Sequence, residues 1–384
     1  MVRQRPVVVA FWRVDESGKS QELKMARRFD LLKVHGSPRQ IGLQVGEALR
    51  DKIPLAIDQI FEHELGYFEA MTVGPVPELP AMTRADVLQK TRAYLPHFQQ
   101  YAPGMVQELH GIAEGARIDF EEALLLQIRG EIVYALTGGC TSFALGASTT
   151  KDHAVVTGQN WDYAVDLDLG IVHLLHVTPD EGPRQLMLTF AGLTSYLGIN
   201  SSGVSSFCNA LPWAWCSVGI PHYPLWWRVF RETGLAGVRS VMEQTKSVQA
   251  ENHVFSDSSG SIANGELTPE GVAWLPDEEG FFVHTNHYVS QRYRNRPDLP
   301  VYLADSPLRL ERMRSLIRTK LGVLDVASME TFLSDHQGFP TSICRHEKLP
   351  GFWTSASLVA VPQKGVMYVC AGNPCEGEFV EYQV

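Results

Sequence analysis

The chain has 384 residues, 45% of them hydrophobic and 20% charged, with a formal net charge of −10. That composition excludes disordered, collagenous and coiled-coil chains, and the length suffices for one large domain or two with a sizeable core. The acidic balance and the lack of any run of five or more Lys/Arg argue against a nucleic-acid partner.

The opening MVRQRPVVVAFWRVDE carries a short apolar run broken by Arg13 and Asp15, too brief and too charged for a secretory segment. No stretch approaches the roughly 18 apolar residues of a membrane span. The closing FVEYQV holds no prenylation, ER-retention or peroxisomal address. The expectation is a soluble, cytoplasmic protein with no membrane partner.

In chain order, PVVVAFWRV and FDLLKVHG predict strands. GSPRQIGLQVGEAL then opens a helix, with Pro38 near its first position and Ile41, Leu43 and Val45 beyond, running from 38 to 68. TRADVLQKTRAYLPHFQQYAP and MVQELHGIAEGARIDFEEALLLQIRGEIVYAL add three helical patterns. Ala123, Leu124, Ile128, Ile132 and Leu136 share the buried face of the last. At Gly138 the texture changes. CTSFALG, HAVVTGQNWDY, IVHLLHVTP, QLMLTFAG and YLGINSSGVSSFCNAL read as successive strands punctuated by turn residues. A helix follows over 224–248, strands over 252–288 and helices over 305–320 and 327–335. LVAVPQKGVMYVCAGNP then forms a hairpin across Pro362 to Gly365. Strands in succession with helices in separate blocks predict an α+β protein with antiparallel sheets, not a doubly wound parallel fold. The nucleotide-cradling glycine motifs and the GxSxG elbow are absent.

Six cysteines, at 140, 208, 216, 344, 370 and 375, include no CxxC pair, so reduced thiols are expected; the spacing alone allows a Cys370–Cys375 bridge. Four short segments concentrate chemistry. In GGCTS, Gly138 and Gly139 leave Cys140 accessible, beside the hydroxyls of Thr141 and Ser142. In GQNWDY, strand alternation puts Asn160 and Asp162 on one side and Trp161 and Tyr163 on the other. In HTNHY, His284 and His287 would point to opposite faces of a strand over 281–288, which speaks against a metal and leaves Asn286 as an amide donor. In SICRHE, Arg345 offers a fork for a carboxylate. Taken singly, each has an ordinary alternative: a buried structural cysteine, a strand leaving for a polar turn, a satisfied core histidine, a solvated ion pair.

Together, and in this order, GSPRQIGLQVG, GGCTS, GQNWDY, GINSSGVSSFCNAL, HTNHY, DSPLRLERM and SICRH resemble the penicillin acyltransferase-like family of N-terminal-nucleophile (Ntn) hydrolases. That family includes acyl-coenzyme A:6-aminopenicillanate acyltransferase and the Tan-type N-β-alanyl-amine hydrolases. The resemblance runs from about residue 35 to the C-terminal end. It implies a four-layer αββα sandwich with two antiparallel sheets and an N-terminal helical segment. It also implies a precursor that cuts itself between Gly139 and Cys140. Residues 1–139 would become a mostly helical α chain and 140–384 a strand-rich β chain. Carried over residue by residue, it makes Cys140 the nucleophile, Asn286 the oxyanion donor and Asp162 the carboxylate that orients the amine or contacts substrate. Arg345 becomes the pocket arginine for a substrate carboxylate.

The chemistry explains the cut. An internal cysteine has only an amide nitrogen beside it, whereas a terminal one gains an α-amine of pKa roughly 7.7–8.0 that can take the thiol proton. Thr141 and Ser142 would assist, and Tyr163, with Trp161, Trp213 and Trp215, would line a pocket. The expected activity is hydrolysis of a small-molecule amide, an N-acyl amine or N-acyl amino acid, with no cofactor and no metal. The alternatives are an acyl-CoA-dependent N-acyltransferase of the same family, a Cys–His hydrolase without self-cleavage, and a non-catalytic ligand-binding relative.

Overall fold

The computed structural model describes residues 11–14, 20–23, 27–61, 83–133, 139–164, 167, 169–212, 218–277, 279–295, 304–346 and 352–384. The chain starts with a small hairpin, β1 (Phe11–Val14) and β2 (Ser20–Leu23), followed by strand β3 (Leu31–Gly36). Helices α1 (Pro38–Ala48), α2 (Ile53–Gln59), α3 (Arg84–Arg92), α4 (Leu95–Tyr101), α5 (Pro103–Ala116), α6 (Phe120–Leu126) and α7 (Arg129–Val133) come next. The Ser37 and Gln40 side chains form a capping box at the start of α1, with Pro38 just inside it, as the Gly-Ser-Pro start predicts. Its partner is α5, and the two backbones touch. A Cβ on Gly42 would lie 1.9 Å from Glu108 O and one on Gly115 2.3 Å from Leu43 O, so only glycine permits this approach.

From Cys140 the strands take over: β4 (Cys140–Leu145), β5 (Val156–Ala164), β6 (Val172–Pro179), β7 (Gln185–Phe190), β8 (Leu197–Asn200) and β9 (Ser205–Ala210). Helices α8 (His222–Val229) and α9 (Leu235–Gln244) interrupt them. Strands β10 (Glu251–Ser256), β11 (Ile262–Thr268), β12 (Gly271–Trp274) and β13 (Phe281–His284) follow. Helices α10 (Ser306–Arg318) and α11 (Val326–Leu333) precede β14 (Phe352–Val361), β15 (Val366–Ala371) and β16 (Val380–Gln383).

The strands form an eight-stranded sheet in the order β12-β11-β10-β9-β8-β7-β6-β3 and a six-stranded sheet in the order β13-β4-β5-β14-β15-β16. Their inner faces meet where β9 and β10 pack on β4 and β5. The N-terminal helices cover the outer face of the larger sheet through Val34, Ile41 and Leu175, and α10 and α11 cover the smaller one through Leu310, Met313 and Phe332. This is the four-layer αββα sandwich.

Four expectations need correcting. The edge strand β3 pairs parallel to β6, so the larger sheet is not wholly antiparallel; the long connection between them, through the N-terminal helices and then β4 and β5 of the other sheet, supplies the crossover a parallel pair needs. The helix expected over 38–68 breaks at residues 49–52, and residues 62–82 lie outside the described part. The helix over 224–248 is two, because the chain turns at Gly234 and Asp257 caps the second by accepting from Leu235 N–H at 2.9 Å. The strand over 281–288 stops at His284, where the chain leaves the sheet. Ile132 and Leu136, with Gly138, Trp213, Trp215 and Cys216, lie outside the described side chains. Among the described residues no helix is long and apolar enough to cross a membrane.

Candidate active site

Strand β4 begins at Cys140, and its position in the sheet builds the site. On one side Cys140 lies opposite Trp161 of β5, and Asp162 N–H donates to Gly139 O at 2.9 Å. On the other side β13 pairs His284 with Ser142, a register that puts Asn286 across from Cys140. The backbone has left the sheet by then, so the Asn286 side chain takes over the ladder bond: Cys140 N–H donates to its Oδ1 at 2.7 Å. The Gly139–Cys140 peptide is thereby held at both its oxygen and its nitrogen. Ser306, at the start of α10, fixes the departing turn; its Oγ accepts from Asn286 N–H at 2.7 Å.

The face of β4 away from the sandwich interior carries charge. Arg309 Nη1 donates to Cys140 O at 2.7 Å and to Thr141 Oγ1 at 2.9 Å, and its Nη2 donates to Asn286 Oδ1 at 3.0 Å. Its Nε donates to Asp305 Oδ2 at 3.0 Å, and the same oxygen accepts from Arg345 Nη2. Arg345 Nε lies 3.7 Å from Asp162 Oδ2, while Asp162 Oδ1 accepts from Thr354 Oγ1 at 2.7 Å. Two arginines and two aspartates, all buried, thus form a charge-neutral set around the peptide. Gly139 fits because it has no side chain: a Cβ there would lie 2.9 Å from Arg345 Nη1 and 3.2 Å from Asp162 Oδ2.

The two carboxylates respond differently to burial. Burial pushes Asp162 up to about 6, although Arg345, Arg309 and the Thr354 hydroxyl pull it down. Burial opposes ionisation of Asp305 as well, but Arg309 and Arg345 outweigh it and hold that carboxyl below its ordinary range. Asp162 Oδ2 accepts no hydrogen bond, so a partly basic oxygen is left beside Gly139. Burial, and next the Asp162 charge, push the Cys140 thiol up to about 12, against the pull of Asp162 N–H, Arg309 and Arg345.

The opposite face of β4 looks into the sandwich. There Trp161 and Tyr163 pack with Phe190 and Tyr196, and Trp161 Nε1–H donates to Tyr196 OH at 3.1 Å. Arg129 stacks 4.1 Å from the Phe190 ring centre and donates to Tyr163 OH at 3.2 Å. Burial raises the Tyr196 and Cys208 pKa values well above their ordinary ones, and both groups sense the Cys140 thiol electrostatically.

The sequence-derived residues Gly139, Cys140, Thr141, Asp162, Asn286 and Arg345 therefore meet at one peptide bond. Ser142 does not contact it; its hydroxyl donates to Asn209 Oδ1 at 2.6 Å in the interior. Arg345 is already paired with two carboxylates. Asn286 Nδ2 donates to Ala210 O at 3.1 Å, and its second hydrogen has no acceptor among the described residues. His284 pairs with Glu266 at 3.0 Å and His287 lies 2.8 Å from Ser306 Oγ, so each has its own partner. The Cys370–Cys375 bridge that the spacing allows is not formed, and both are free thiols. Cys370 Sγ turns into the Asn373–Gly377 bend, where a Cβ on Gly377 would lie 2.3 Å away. Cys375 faces Cys344 instead, with the sulfurs 3.6 Å apart. Sequence reading missed Asp305, Ser306, Arg309 and Thr354; three of them lie in DSPLRLERM, a matching segment to which no role was attached.

The family model described as acyl-coenzyme A:6-aminopenicillanic acid acyl-transferase matches residues 148–376. The 40 kDa form of acyl-coenzyme A:6-aminopenicillanic-acid-acyltransferase from Emericella nidulans is 27% identical over 332 residues, covering 82% of this chain and 84% of that protein. Among solved structures, a mutant of the conjugated bile acid hydrolase from Clostridium perfringens matches at TM-score 0.42 and 13% identity, over 64% of this chain and 97% of that one. Penicillin V acylase from Agrobacterium tumefaciens matches at TM-score 0.37 and 11% identity, over 60% and 83%. The family match spans more than half of the sequence, and the chain belongs to the acyl-coenzyme A:6-aminopenicillanic acid acyl-transferase family.

Proposed function

We propose that the chain is a self-processing thiol Ntn enzyme that cuts itself between Gly139 and Cys140 and then acts on a small-molecule amide through a Cys140 acyl-enzyme. One observation carries this reading: the Gly139–Cys140 peptide has Asp162 N–H on its oxygen and Asn286 Oδ1 on its nitrogen, next to the Cys140 thiol.

In the first reaction Cys140 Sγ attacks the Gly139 carbonyl carbon. Asp162 N–H stabilises the developing oxyanion, as preorganised backbone donors do. The thiol proton passes through the Asp162 carboxylate, whose raised pKa suits a proton carrier, to the departing Cys140 nitrogen. The C–N bond breaks, a thioester remains, and water hydrolyses it. Residues 1–139 and 140–384 stay together as α and β chains of one fold.

In the second reaction the new α-amine, held by Asn286 Oδ1, takes the thiol proton. The thiolate attacks a substrate carbonyl, the amine portion leaves, and water removes the acyl group. Asn286 Nδ2 supplies an oxyanion donor through its second hydrogen. Arg345 acts as a positioning residue that holds Asp162 and Asp305. Tyr163 and the aromatics of the inner face receive the acyl or amine portion. The likeness to an acyltransferase favours a second reading, in which an amine rather than water accepts the acyl group from an acyl-CoA donor.

Denaturing mass spectrometry of the purified chain tests the first step. Two chains, one beginning at Cys140, are expected, and Cys140→Ala should stay whole. A wild-type chain that remains uncut on incubation would sink the reading. Supplying N-acyl amines, N-acyl amino acids and penicillins with and without an amine acceptor separates hydrolysis from transfer, and inertness toward all of them favours a binding protein.

A further inference from the structure

Beyond the catalytic residues, the loop carrying Arg345 ends in a second cluster. Cys344 and His346 flank Arg345, His336 comes from the segment after α11, and Cys375 comes from the turn after β15. His336 Nε2 and His346 Nε2 are 3.0 Å apart, and Cys344 Sγ and Cys375 Sγ are 3.6 Å apart. His346 Nε2 lies 3.8 Å from Cys344 Sγ and 3.4 Å from Cys375 Sγ, and all four atoms fall within 4.8 Å of one another. A tetrahedral zinc ion, with bonds of about 2.3 Å to sulfur and 2.0–2.1 Å to nitrogen, separates two sulfurs by about 3.8 Å. It separates a sulfur from a nitrogen by about 3.6 Å, and two nitrogens by about 3.3 Å. These four edges lie within a few tenths of an ångström of those values, and His336 Nε2 lies within 4.8 Å of both sulfurs.

We infer that His336, Cys344, His346 and Cys375 form a structural zinc site that ties three chain segments together and fixes the loop bearing Arg345.

The surroundings suit a metal centre. Asn373 Nδ2–H approaches Cys344 Sγ at 3.5 Å and donates to Arg345 O at 2.5 Å, so one amide supports both a ligand sulfur and the loop. His346 turns Nδ1 toward Glu376, 3.9 Å away, leaving Nε2 for the cluster. On the other flank Asp335, next to His336, is gripped by Arg312 and accepts from Cys344 N–H at 3.0 Å. Two thiolates and two imidazoles in tetrahedral array select zinc over the harder divalent ions. A closed set of four protein ligands makes the site structural, with no open position for substrate or water. On binding, the two thiols release their protons to solvent and no electrons move.

The spacing hid the site. Cys-x-His with one partner upstream and another after β15 matches none of the usual paired motifs.

The test is metal analysis of the full chain, expressed with zinc in the medium and dialysed against metal-free buffer. About one zinc per chain is expected. His336→Ala and Cys375→Ser, both changes at exposed positions, should each reduce it at least tenfold while leaving the far-ultraviolet circular dichroism unchanged. Cobalt substitution should give the absorption of a tetrahedral thiolate complex. A wild-type chain with less than a tenth of an equivalent of metal and no cobalt spectrum overturns the inference. So does peptide mapping that finds Cys344 and Cys375 joined as a disulfide, or variants that keep their zinc.

Discussion

Asp162 and Asp305 share the same two arginines, yet neutralising them should move stability in opposite directions. Asp162 is fully buried, and its pKa rises from the ordinary 3.8 to about 6. At 1.36 kcal/mol per pKa unit, holding it ionised at pH 7 costs the fold about 3 kcal/mol. Its attraction to Arg345 Nε, 3.7 Å away, does not cover the loss of hydration. Asp162→Asn keeps the shape and the backbone N–H and removes the charge. In a Cys140→Ala background, where no cut complicates the measurement, it should stabilise the chain at pH 7 by about 1–3 kcal/mol, because the new amide hydrogens offset part of the gain. Asp305 is the closer partner of both arginines, and its pKa is held below the ordinary value. Asp305→Asn should cost about 3–5 kcal/mol by leaving buried guanidinium charge uncompensated.

The pH dependence follows the same sign. A carboxyl whose folded pKa is raised contributes stability that is complete below the unfolded value of 3.8 and is lost as pH rises through about 6. The Cys140→Ala chain should show that loss, and Cys140→Ala/Asp162→Asn should lack it. Urea unfolding across pH 4 to 8 reads both effects. If the two aspartate variants destabilise alike at pH 7, the idea that Asp162 is held ionised against its own solvation is wrong.

Asn286→Asp keeps the oxygen that accepts from Cys140 N–H and Arg309 but removes the amide donor. Self-cutting should stay within about tenfold of wild type while substrate turnover falls by about 10²–10³. Equal losses in mass-spectrometric cutting and in turnover would refute the division of roles. His222 provides a second pH marker. Burial pushes it down, but Glu251 and Glu131 more than compensate and bring it to about 9. Its contribution to stability is therefore complete below about 6.5 and lost as pH rises through about 9. His222→Gln should flatten that alkaline limb in urea unfolding extended from pH 6 to 10, and an unchanged limb would place the charge elsewhere.

What the sequence conveyed depended on the range of the interaction. Alternation in GQNWDY places Asp162 and Trp161 on opposite faces, and β5 does so: Trp161 packs inside with Phe190 while Asp162 meets Thr354 and Arg345. The helix start at Ser37 and the hairpin at Pro362 were equally legible, because capping and turn chemistry act within a few residues. The parallel pairing of β3 with β6 was not, since both strands have ordinary patterns and only the path of the intervening chain sets their direction. The partners of the site arginines were hidden for the same reason. Arg309 reaches Cys140 across 169 positions, and Asp162 reaches Thr354 across 192. A single charged residue in a helical pattern reads as surface until its distant partners are known.

The position of Cys140 at the first residue of β4 gives the site its logic. A peptide in mid-strand has both neighbours' ladders and is inert; one in a loop has neither and is poorly oriented. At the strand entry, Gly139 O keeps a ladder bond to Asp162 N–H on the β5 side. On the β13 side the backbone has turned away, so a side-chain amide stands where a main-chain carbonyl would be. That substitution matters because a side chain can hold the same nitrogen whether it is an amide or, after a cut, an amine. Arg309 fixes the Asn286 oxygen from behind and binds Cys140 O at the same time, so β4 would keep its first residue in place if the peptide before it were cut. The strand register that builds the sheet is thus also what would orient the nucleophile, and a one-residue slip of β13 against β4 would remove the acceptor from Cys140 N–H and turn its side chains to the opposite face.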